Sequence, residues 1–367
     1  MAPSSHDSHA KIVDIDRAAR RDNHPSTLAR AGRERPDGVR VCCRAEATSV
    51  DVFGAAVEAR GFLCDAAVAA GHELGVFEAL ADAGPATVEQ LAARIGVVPG
   101  RRRLRALLDV LAAIGVLSRE HAAASAPTRV AAAAAVPARP VVARAGWGLL
   151  AEVIRNDQPL PVEIASAGAR PLHDHLASAG AAAAHELAAS LDADSLLDLG
   201  AGAGTYSQAF LAAHPAARAT LVDSRDVLAL AAVHLGPLID RARFVDGDAT
   251  TVDAGDGHGA ALLANLLHIH SPEMCARLCA AAARAVAPGG VVVIKEMRVD
   301  DDRTGPIEGL LFALNMAIYT EAGDAYPASQ LRAWLAEAGL IDLSEGRLAA
   351  APDAIIAIGR KPSGSAR

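Results

Sequence analysis

The sequence predicts an α/β protein, in which a mainly helical N-terminal domain precedes a domain built on a mostly parallel sheet with an antiparallel C-terminal strand. Three observations predict this fold class. Apolar residues recur at helical spacing from about residue 52, short apolar runs alternate with helical patterns from about residue 195, and the last two runs follow one another as a hairpin would. A chain of 367 residues has room for two such domains.

Two helix patterns define the N-terminal domain, which we predict over residues 49–145. Residues 1–48 lack sustained periodicity, and we interpret them as a flexible extension. Thr87 and Gln90 form the pair that bonds the free amides at the start of a helix, and Gly96 ends that helix. The next helix has one apolar face, with Leu104, Leu107, Leu108 and Leu111. The pair predicts a helix-turn-helix, and the Ala/Pro-rich residues 121–143 leave room for a β wing.

The second half of the chain alternates strand and helix patterns. We predict linking helices over residues 146–190 and a catalytic domain over residues 191–367. The strands are predicted near 195–200, 218–223, 242–246, 259–267, 290–297, 341–348 and 353–359. This alternation is typical of a Rossmann-like sheet.

Composition excludes several classes of partner. The net charge of −8 argues against general binding of nucleic acid, which depends on clustered positive charge. The five cysteines lack a disulfide-framework spacing, which predicts a reducing cytoplasm. No apolar run is long enough to span a bilayer, and the N-terminus has no apolar signal core. We therefore expect a cytoplasmic protein that acts on a small molecule.

A glycine loop follows the first strand of the sheet. Asp198 is followed by glycines at alternate positions, Gly200, Gly202 and Gly204, and a helix pattern begins at Thr205. Such glycines let the backbone approach a ligand, and the free amides at the helix start suit an anionic group, such as the carboxylate of S-adenosylmethionine. Asp198 is predicted to contact the cationic methionine end. The dinucleotide fingerprint fails at Thr205, and no phosphate-loop Gly-Lys-Ser/Thr follows.

Acidic residues end the next two strands. Asp223 is placed to accept both ribose hydroxyls of a nucleoside, a position that would also suit a dinucleotide. Gly247 and Asp248 follow the third strand, near the expected adenine position. Asn265, after the fourth strand, is also predicted to contact the cofactor. Acids at three consecutive strand ends around one glycine loop predict a nucleoside-containing cofactor.

These motifs together resemble one family. Residues from about 52 to 360 are similar to the class I small-molecule O-methyltransferases with an N-terminal winged-helix dimerisation domain, which include plant phenolic and bacterial polyketide enzymes. The residues that carry the resemblance are the Asp198-to-Gly204 loop, Asp223, Gly247-Asp248, Leu267-His268, and Ala287-Pro288-Gly289-Gly290 before a strand ending in Glu296. The resemblance implies S-adenosylmethionine as the methyl donor, a small, aromatic or polyketide-type acceptor, and a homodimer formed through the N-terminal domain.

The resemblance also implies a catalytic pair. The fourth strand delivers two histidines to the sheet edge where open α/β folds bind ligands. His268 matches the family's general base for a hydroxyl group, and Glu296 matches the carboxylate that orients it. His270 stands where many relatives have Trp, and we expect it to contact the acceptor. Ala325 stands where they have a second catalytic Glu, so C- or N-methylation, or a nonmethylating reaction, stays open.

A helix pattern near the C-terminal half suits the wall of a flat, partly apolar acceptor pocket. Four residues share one face at helical spacing, namely Phe312, Asn315, Met316 and Tyr319. Core packing is an equally good interpretation for each of them. Trp147 is a weaker candidate for the same pocket.

Two further interpretations compete with these. His268, His270, Cys275 and Cys279 lack the compact spacing of a zinc site, so no metal is predicted. Four arginines open the second helix of the helix-turn-helix, which would suit a DNA-binding regulator that senses the donor, namely Arg101, Arg102, Arg103 and Arg105. The overall acidity and the equally good interpretation as a solvated helix face argue against this regulator.

Overall fold

The structure is a computed structural model that describes residues 50–97, 101–120, 128–143, 146–161 and 170–363. The predicted extension, residues 1–48, lies outside the described residues. The chain divides into two compact units. Within the described residues, a helical unit comprises 50–161 with 302–324, and a sheet unit comprises 170–301 with 325–363. The domain boundaries given above stay predictions.

The elements are as follows in chain order. The helices are α1 (Val50–Glu73), α2 (Val76–Ala83), α3 (Val88–Ile95), α4 (Arg101–Ala113), α5 (Leu150–Asn156), α6 (Arg170–Ser190), α7 (Thr205–Ala213), α8 (Arg225–Leu235), α9 (Pro272–Ala285), α10 (Ile307–Tyr319) and α11 (Ala328–Glu337). The strands are β1 (Leu117–Glu120), β2 (Arg129–Ala132), β3 (Ser195–Leu199), β4 (Arg218–Asp223), β5 (Ala242–Asp246), β6 (His258–Ala264), β7 (Val286–Met297), β8 (Ile341–Leu348) and β9 (Ala351–Arg360).

The helical unit begins its α3 as the sequence predicts. The Thr87 hydroxyl accepts a hydrogen bond from the Gln90 amide at 3.3 Å, and the Gln90 side chain accepts one from the Thr87 amide at 3.0 Å. Gly96 ends the helix in the left-handed conformation, with φ 67°. The predicted leucine face of α4 is buried. Strands β1 and β2 pair antiparallel and form a β wing, whose second strand lies in the range 121–143 that the sequence left open and whose first strand begins earlier, at Leu117.

The sheet unit confirms the predicted mostly parallel sheet with an antiparallel C-terminal strand. Seven strands lie in the order β5-β4-β3-β6-β7-β9-β8, and β9 runs antiparallel to its neighbours β7 and β8. The strand predicted at 259–267 is wrong at its end, because β6 stops at Ala264. Asn265 has a positive φ of 54°, which breaks the extended backbone, and Leu267–Ile269 form a short 3₁₀ turn.

Both faces of this sheet are covered by apolar helix faces. One face packs against α6, α7 and α8, with Phe210 and Leu187 buried, and the other packs against α9 and α11, with Cys279 and Trp334 buried. Because β3, β4, β5, β6 and β7 are parallel, the residues that follow them meet at one edge of the sheet. Among the described residues, no helix is both long and apolar enough to cross a membrane.

Candidate active site

The glycine loop after β3 is shaped by backbone contacts. The amides of Gly200 and Ala201 donate to the Val222 carbonyl of β4, at 2.9 and 3.1 Å, which folds the loop against the neighbouring strand end. Gly200 has φ 68°, and a Cβ there would lie 2.6 Å from the Leu266 side chain. The turn therefore needs glycine for both its conformation and its close approach.

Asp223, at the end of β4, faces this loop. Its Oδ2 accepts a hydrogen bond from the Gly202 amide at 2.9 Å, and its Oδ1 accepts one from the Ser224 amide at 2.7 Å. A carboxylate has about four lone-pair directions, so Asp223 retains capacity for ligand hydroxyls. The structure thus brings the predicted ribose-binding acid to the predicted loop.

Asp198 lies beneath the loop, only 2% exposed. Its Oδ2 accepts a hydrogen bond from the Ser207 hydroxyl at 2.7 Å. Burial raises the pKa of this carboxyl to about 6, and the charge of Asp223 adds to the increase, whereas the Ser207 bonds oppose it. A cationic ligand group above Asp198 would stabilise its charged form.

The residues after β5 extend the same edge. The Gly247 amide donates to the Asp223 carbonyl at 3.2 Å, which holds the two strand ends together. The exposed Asp248 accepts hydrogen bonds from the amide and the hydroxyl of Thr250, each at 2.7 Å. These bonds hold the pKa of Asp248 below its usual value.

His268 and Glu296 form a direct pair. The His268 Nδ1 lies 2.7 Å from the Glu296 Oε2, and Glu296 is 1% exposed. The other carboxylate oxygen, Oε1, accepts hydrogen bonds from the backbone amides of Leu267 at 2.7 Å and His268 at 3.4 Å. Glu296 therefore anchors both the imidazole and the 3₁₀ turn that carries it.

The charge state of Glu296 determines the histidine tautomer. Burial alone would raise the pKa of this carboxyl, but His268, Lys295 and the Leu267 amide together hold the pKa below its usual value. An ionised carboxylate only accepts hydrogen bonds, so the Nδ1 of His268 carries the proton and Nε2 carries the lone pair. The pair is arranged to take up a proton at Nε2.

His270 lies near this pair. Burial and the charge of His268 lower its pKa, so at neutral pH its ring is uncharged. Its carbonyl accepts a hydrogen bond from the Tyr326 hydroxyl at 2.5 Å.

Two residues that the sequence did not single out, Lys295 of β7 and Tyr206 of α7, lie close to Asn265. The Lys295 Nζ donates to the Asn265 Oδ1 at 2.7 Å. The hydroxyl of Tyr206, on α7, is buried and has no hydrogen-bond partner of normal geometry among the described residues, although the nearby Asn265 side chain moderates its pKa. Strand periodicity places Lys295 opposite Glu296, but no sequence signal pairs it with α7.

Apart from His270, the residues predicted to contact the acceptor belong to the helical unit. The Trp147 Nε1 donates to the Asn315 Oδ1 at 3.0 Å, which joins two of them. Met316 is buried, whereas Phe312 and Tyr319 are half-buried. Their role in binding an acceptor stays a prediction.

Three arginines at the start of α4 bond to groups within the helical unit. Their acceptors lie at the end of α10, after α5 and in the 320–324 loop: Arg102 donates to the carbonyls of Thr320, Glu321 and Gly323, Arg103 to Ala317, Thr320 and Asp157, and Arg105 to Asp324. Arg103 is 2% exposed. These side chains therefore hold α10 rather than form the solvated face or base-reading surface that the sequence left open.

Ala325, which stands where the resemblance implies a second catalytic Glu, is buried. The neighbouring Asp324 does not replace that acid, because its carboxylate pairs with Arg303 at 3.1 Å and with Arg105. His268 and Glu296 are thus the acid–base groups that the structure brings together. In the described ranges, no group of three or more His, Cys, Asp or Glu side chains has the geometry to hold a metal ion.

Comparisons with known proteins agree with this geometry. Residues 174–341 match the O-methyltransferase domain family, and residues 58–136 match the O-methyltransferase dimerisation domain. A relative from Streptomyces sahachiroi, 3-hydroxy-5-methyl-1-naphthoate 3-O-methyltransferase, is 31% identical over 76% of this chain and 86% of its own length. The tetracenomycin polyketide synthesis 8-O-methyl transferase TcmO of Streptomyces glaucescens is 32% identical over 46% of this chain and 49% of its own.

A solved structure is also similar. It is an O-methyltransferase family 2 protein from Planctomyces limnophilus in complex with apigenin. Its TM-score is 0.65 at 25% identity, over 86% of this chain and 97% of its own.

Proposed function

Because this chain belongs to the S-adenosylmethionine-dependent O-methyltransferases, we propose that it methylates a hydroxyl group of a small aromatic or polyketide-type metabolite, with His268 as the general base. The hydrogen bond between His268 and Glu296, beside the glycine loop, carries this proposal. The names of the two Streptomyces relatives, which act on a naphthoate and in tetracenomycin polyketide synthesis, support the acceptor class.

The residues at the sheet edge fit S-adenosylmethionine. The glycine loop lies directly against the acid proposed to bind the ribose, because the Gly202 amide donates to the Asp223 Oδ2 at 2.9 Å, and the left-handed conformations of Gly200 and Gly204 set the turn that leads into α7. When bound, this donor supplies a methyl group on a sulfonium, which is already an activated leaving group. We propose that Asp223 binds its ribose hydroxyls, that Asp248 lies at the adenine end, and that Asp198 faces the cationic methionine end.

Because the leaving group is already activated, the residues of the chain need only act on the acceptor. The acceptor hydroxyl must be aligned and its proton removed. Since Nδ1–H of His268 donates to Glu296, the lone pair on Nε2 accepts that proton, and the ionised carboxylate stabilises the resulting imidazolium. The uncharged ring of His270 is placed to contact the acceptor without adding a second positive charge.

Acceptor binding is proposed for residues of the helical unit. Asn315 is held by Trp147 and offers a polar group beside the apolar Met316 and the aromatic Phe312 and Tyr319. This mixture suits a flat aromatic ring with few polar substituents. We further propose a homodimer formed through the dimerisation domain, in the reducing cytoplasm that the cysteine content predicts.

His268→Ala tests the base. The variant should bind S-adenosylhomocysteine as the wild type does but lose about 10²- to 10⁴-fold in kcat, the usual contribution of a positioned general base. Calorimetry measures the binding, and chromatography of the methylated product of a naphthol or hydroxynaphthoate panel measures turnover. High pH should partly restore the kcat of the variant, because the acceptor hydroxyl then ionises without a base.

Two companion variants separate the roles. Glu296→Gln should lower kcat less than His268→Ala does, because it disturbs the orientation of the imidazole without removing it. His270→Ala should mainly raise the KM for the acceptor. Full activity of His268→Ala on the preferred acceptor at neutral pH would show that the proton leaves by another route, and alignment alone would then be the better account.

A further inference from the structure

Lys295 is a cation with a neutral partner. Its Nζ donates to the Asn265 side-chain oxygen at 2.7 Å, and in the part of the chain that the structure describes no carboxylate lies within ion-pairing distance of it. The side chain is half-buried at the sheet edge. A partly desolvated ammonium that has only an amide to bond is incompletely stabilised.

The environment of Lys295 agrees with this reasoning. Burial lowers its pKa, and the charge of Glu296 opposes that shift only in part. The ammonium would therefore gain stability from a nearby anion that the described chain does not supply. A ligand anion meets this requirement.

Tyr206 contributes a second unused donor to the same place. Its hydroxyl is buried, and no residue in the described ranges gives it a hydrogen-bond partner of normal geometry. Burial raises its pKa to about 12, the Asn265 side chain opposes this increase, and the charges of Asp198 and Glu296 add to it. The hydroxyl thus stays protonated, and it lies beside Asn265, the residue to which the Lys295 Nζ donates.

The register of the sheet places Lys295 on the side of the sheet that α7 covers, and Tyr206 belongs to α7. Lys295 pairs with Ala264, and Asp198 pairs with Leu262 on the same strand β6, so Lys295 lies near the level of the glycine loop. Alternate residues of a strand point to opposite faces. Glu296 points to the face that holds His268, whereas Lys295 points to the face covered by α7, which the glycine loop begins.

We propose that Lys295 and Tyr206 bind the α-carboxylate of the methionine moiety of the donor, and that Asn265 orients the lysine. This carboxylate is the only anionic group of S-adenosylmethionine. Its amino acid end is a zwitterion, and the site offers an acid, Asp198, for the ammonium and Lys295 for the carboxylate. The inference rests on the donor of the family and is independent of the base assigned to His268.

An acceptor can also carry a carboxylate, so the experiment distinguishes the two sources. We would measure calorimetric affinity for S-adenosylhomocysteine, which has the carboxylate, and for 5′-methylthioadenosine, which lacks the amino acid end. Lys295→Met should lower the affinity for S-adenosylhomocysteine about 10- to 100-fold, because a charged hydrogen bond is lost. The affinity of this variant for methylthioadenosine should stay within about twofold of the wild-type affinity. Tyr206→Phe should show the same selectivity with a smaller loss, about 3- to 10-fold.

Two variants serve as controls. Lys361→Met removes the other described lysine, which bonds the carbonyls of Arg284 and Val286, and should change neither affinity. Asp223→Ala should weaken both ligands, because both contain the ribose. Methylthioadenosine binding also reports that each variant retains a folded nucleoside site.

Two results would overturn the proposal. Equal affinity of the wild type and Lys295→Met for S-adenosylhomocysteine would assign the lysine to another anion, such as an acceptor carboxylate. An equal loss for both ligands would show general damage to the site rather than carboxylate recognition.

Discussion

Asp198 and Glu296 are two buried carboxylates of one sheet edge whose pKa values move in opposite directions. Burial raises both pKa values, but three N–H donors and the His268 charge reverse the effect at Glu296. Among the described residues, Asp198 receives hydrogen bonds only from the neutral Ser207, and its pKa rises to about 6. The number and charge of the donors therefore decide which acid is strongly ionised.

Asp198→Asn should make the protein more stable at neutral pH and should weaken the binding of the methyl donor. The folded pKa of about 6 lies above the usual value of 3.8, so the folded state binds more protons between these values, and the free energy of unfolding rises as pH falls through that window. This increase in the pKa of Asp198 lowers the free energy of unfolding at pH 7 by about 2–3 kcal/mol. The neutral amide has no such cost, so the Asp198→Asn variant should recover that free energy.

Urea unfolding of both proteins at pH 7 and pH 5 checks this expectation. The stability advantage of Asp198→Asn should shrink at pH 5, where the wild-type carboxyl is largely protonated, and calorimetry should show weaker binding of S-adenosylhomocysteine. An Asn variant that is less stable than the wild type at pH 7 would contradict the raised pKa.

At the scale of elements, the end of α10 depends on another helix. The last carbonyls of a helix have no intrahelical partners. Those of Ala317 and Thr320 accept hydrogen bonds from Arg103 of α4, whose Nε also pairs with Asp157 at 2.7 Å. The helix that carries the predicted acceptor residues is thus anchored by a buried cation within the helical unit.

Arg103→Met should lower the free energy of unfolding by about 3 kcal/mol, because it removes several charge-assisted hydrogen bonds from a buried position. Arg94→Met is the matched control, since Arg94 is exposed and donates to the Gly84 carbonyl at 2.6 Å. Thermal unfolding followed by circular dichroism measures both. A loss for Arg103→Met no greater than that for Arg94→Met would show that the bonds to α10 contribute little.

At the scale of the whole molecule, we expect a homodimer. Residues 58–136 match a dimerisation domain, and Phe62, within α1, is 43% exposed, which leaves apolar surface for a partner. Light scattering should report twice the monomer mass of 37.5 kDa. Deletion of residues 1–48 should leave the dimer intact, and a monomer after that deletion would assign the contact to the extension.

The sequence by itself determined the features that depend on neighbouring residues. The Asp198-to-Gly204 loop, the acid at the end of β4 and the capping pair of α3 are each set by a few consecutive residues, because strand ends, turns and caps depend on local backbone geometry. The alternation of strand and helix patterns likewise predicted a mostly parallel sheet, since parallel strands require crossover connections.

Only the tertiary structure decided which distant side chains meet. Lys295, Asn265 and Tyr206 come from three elements, and strand register together with the positive φ of Asn265 brings them together. The arginines of α4 looked equally suited to solvent or DNA, but the end of α10 is their partner. Such contacts have no local signature, because their free energy comes from burial and pairing between segments that only the folded chain places side by side.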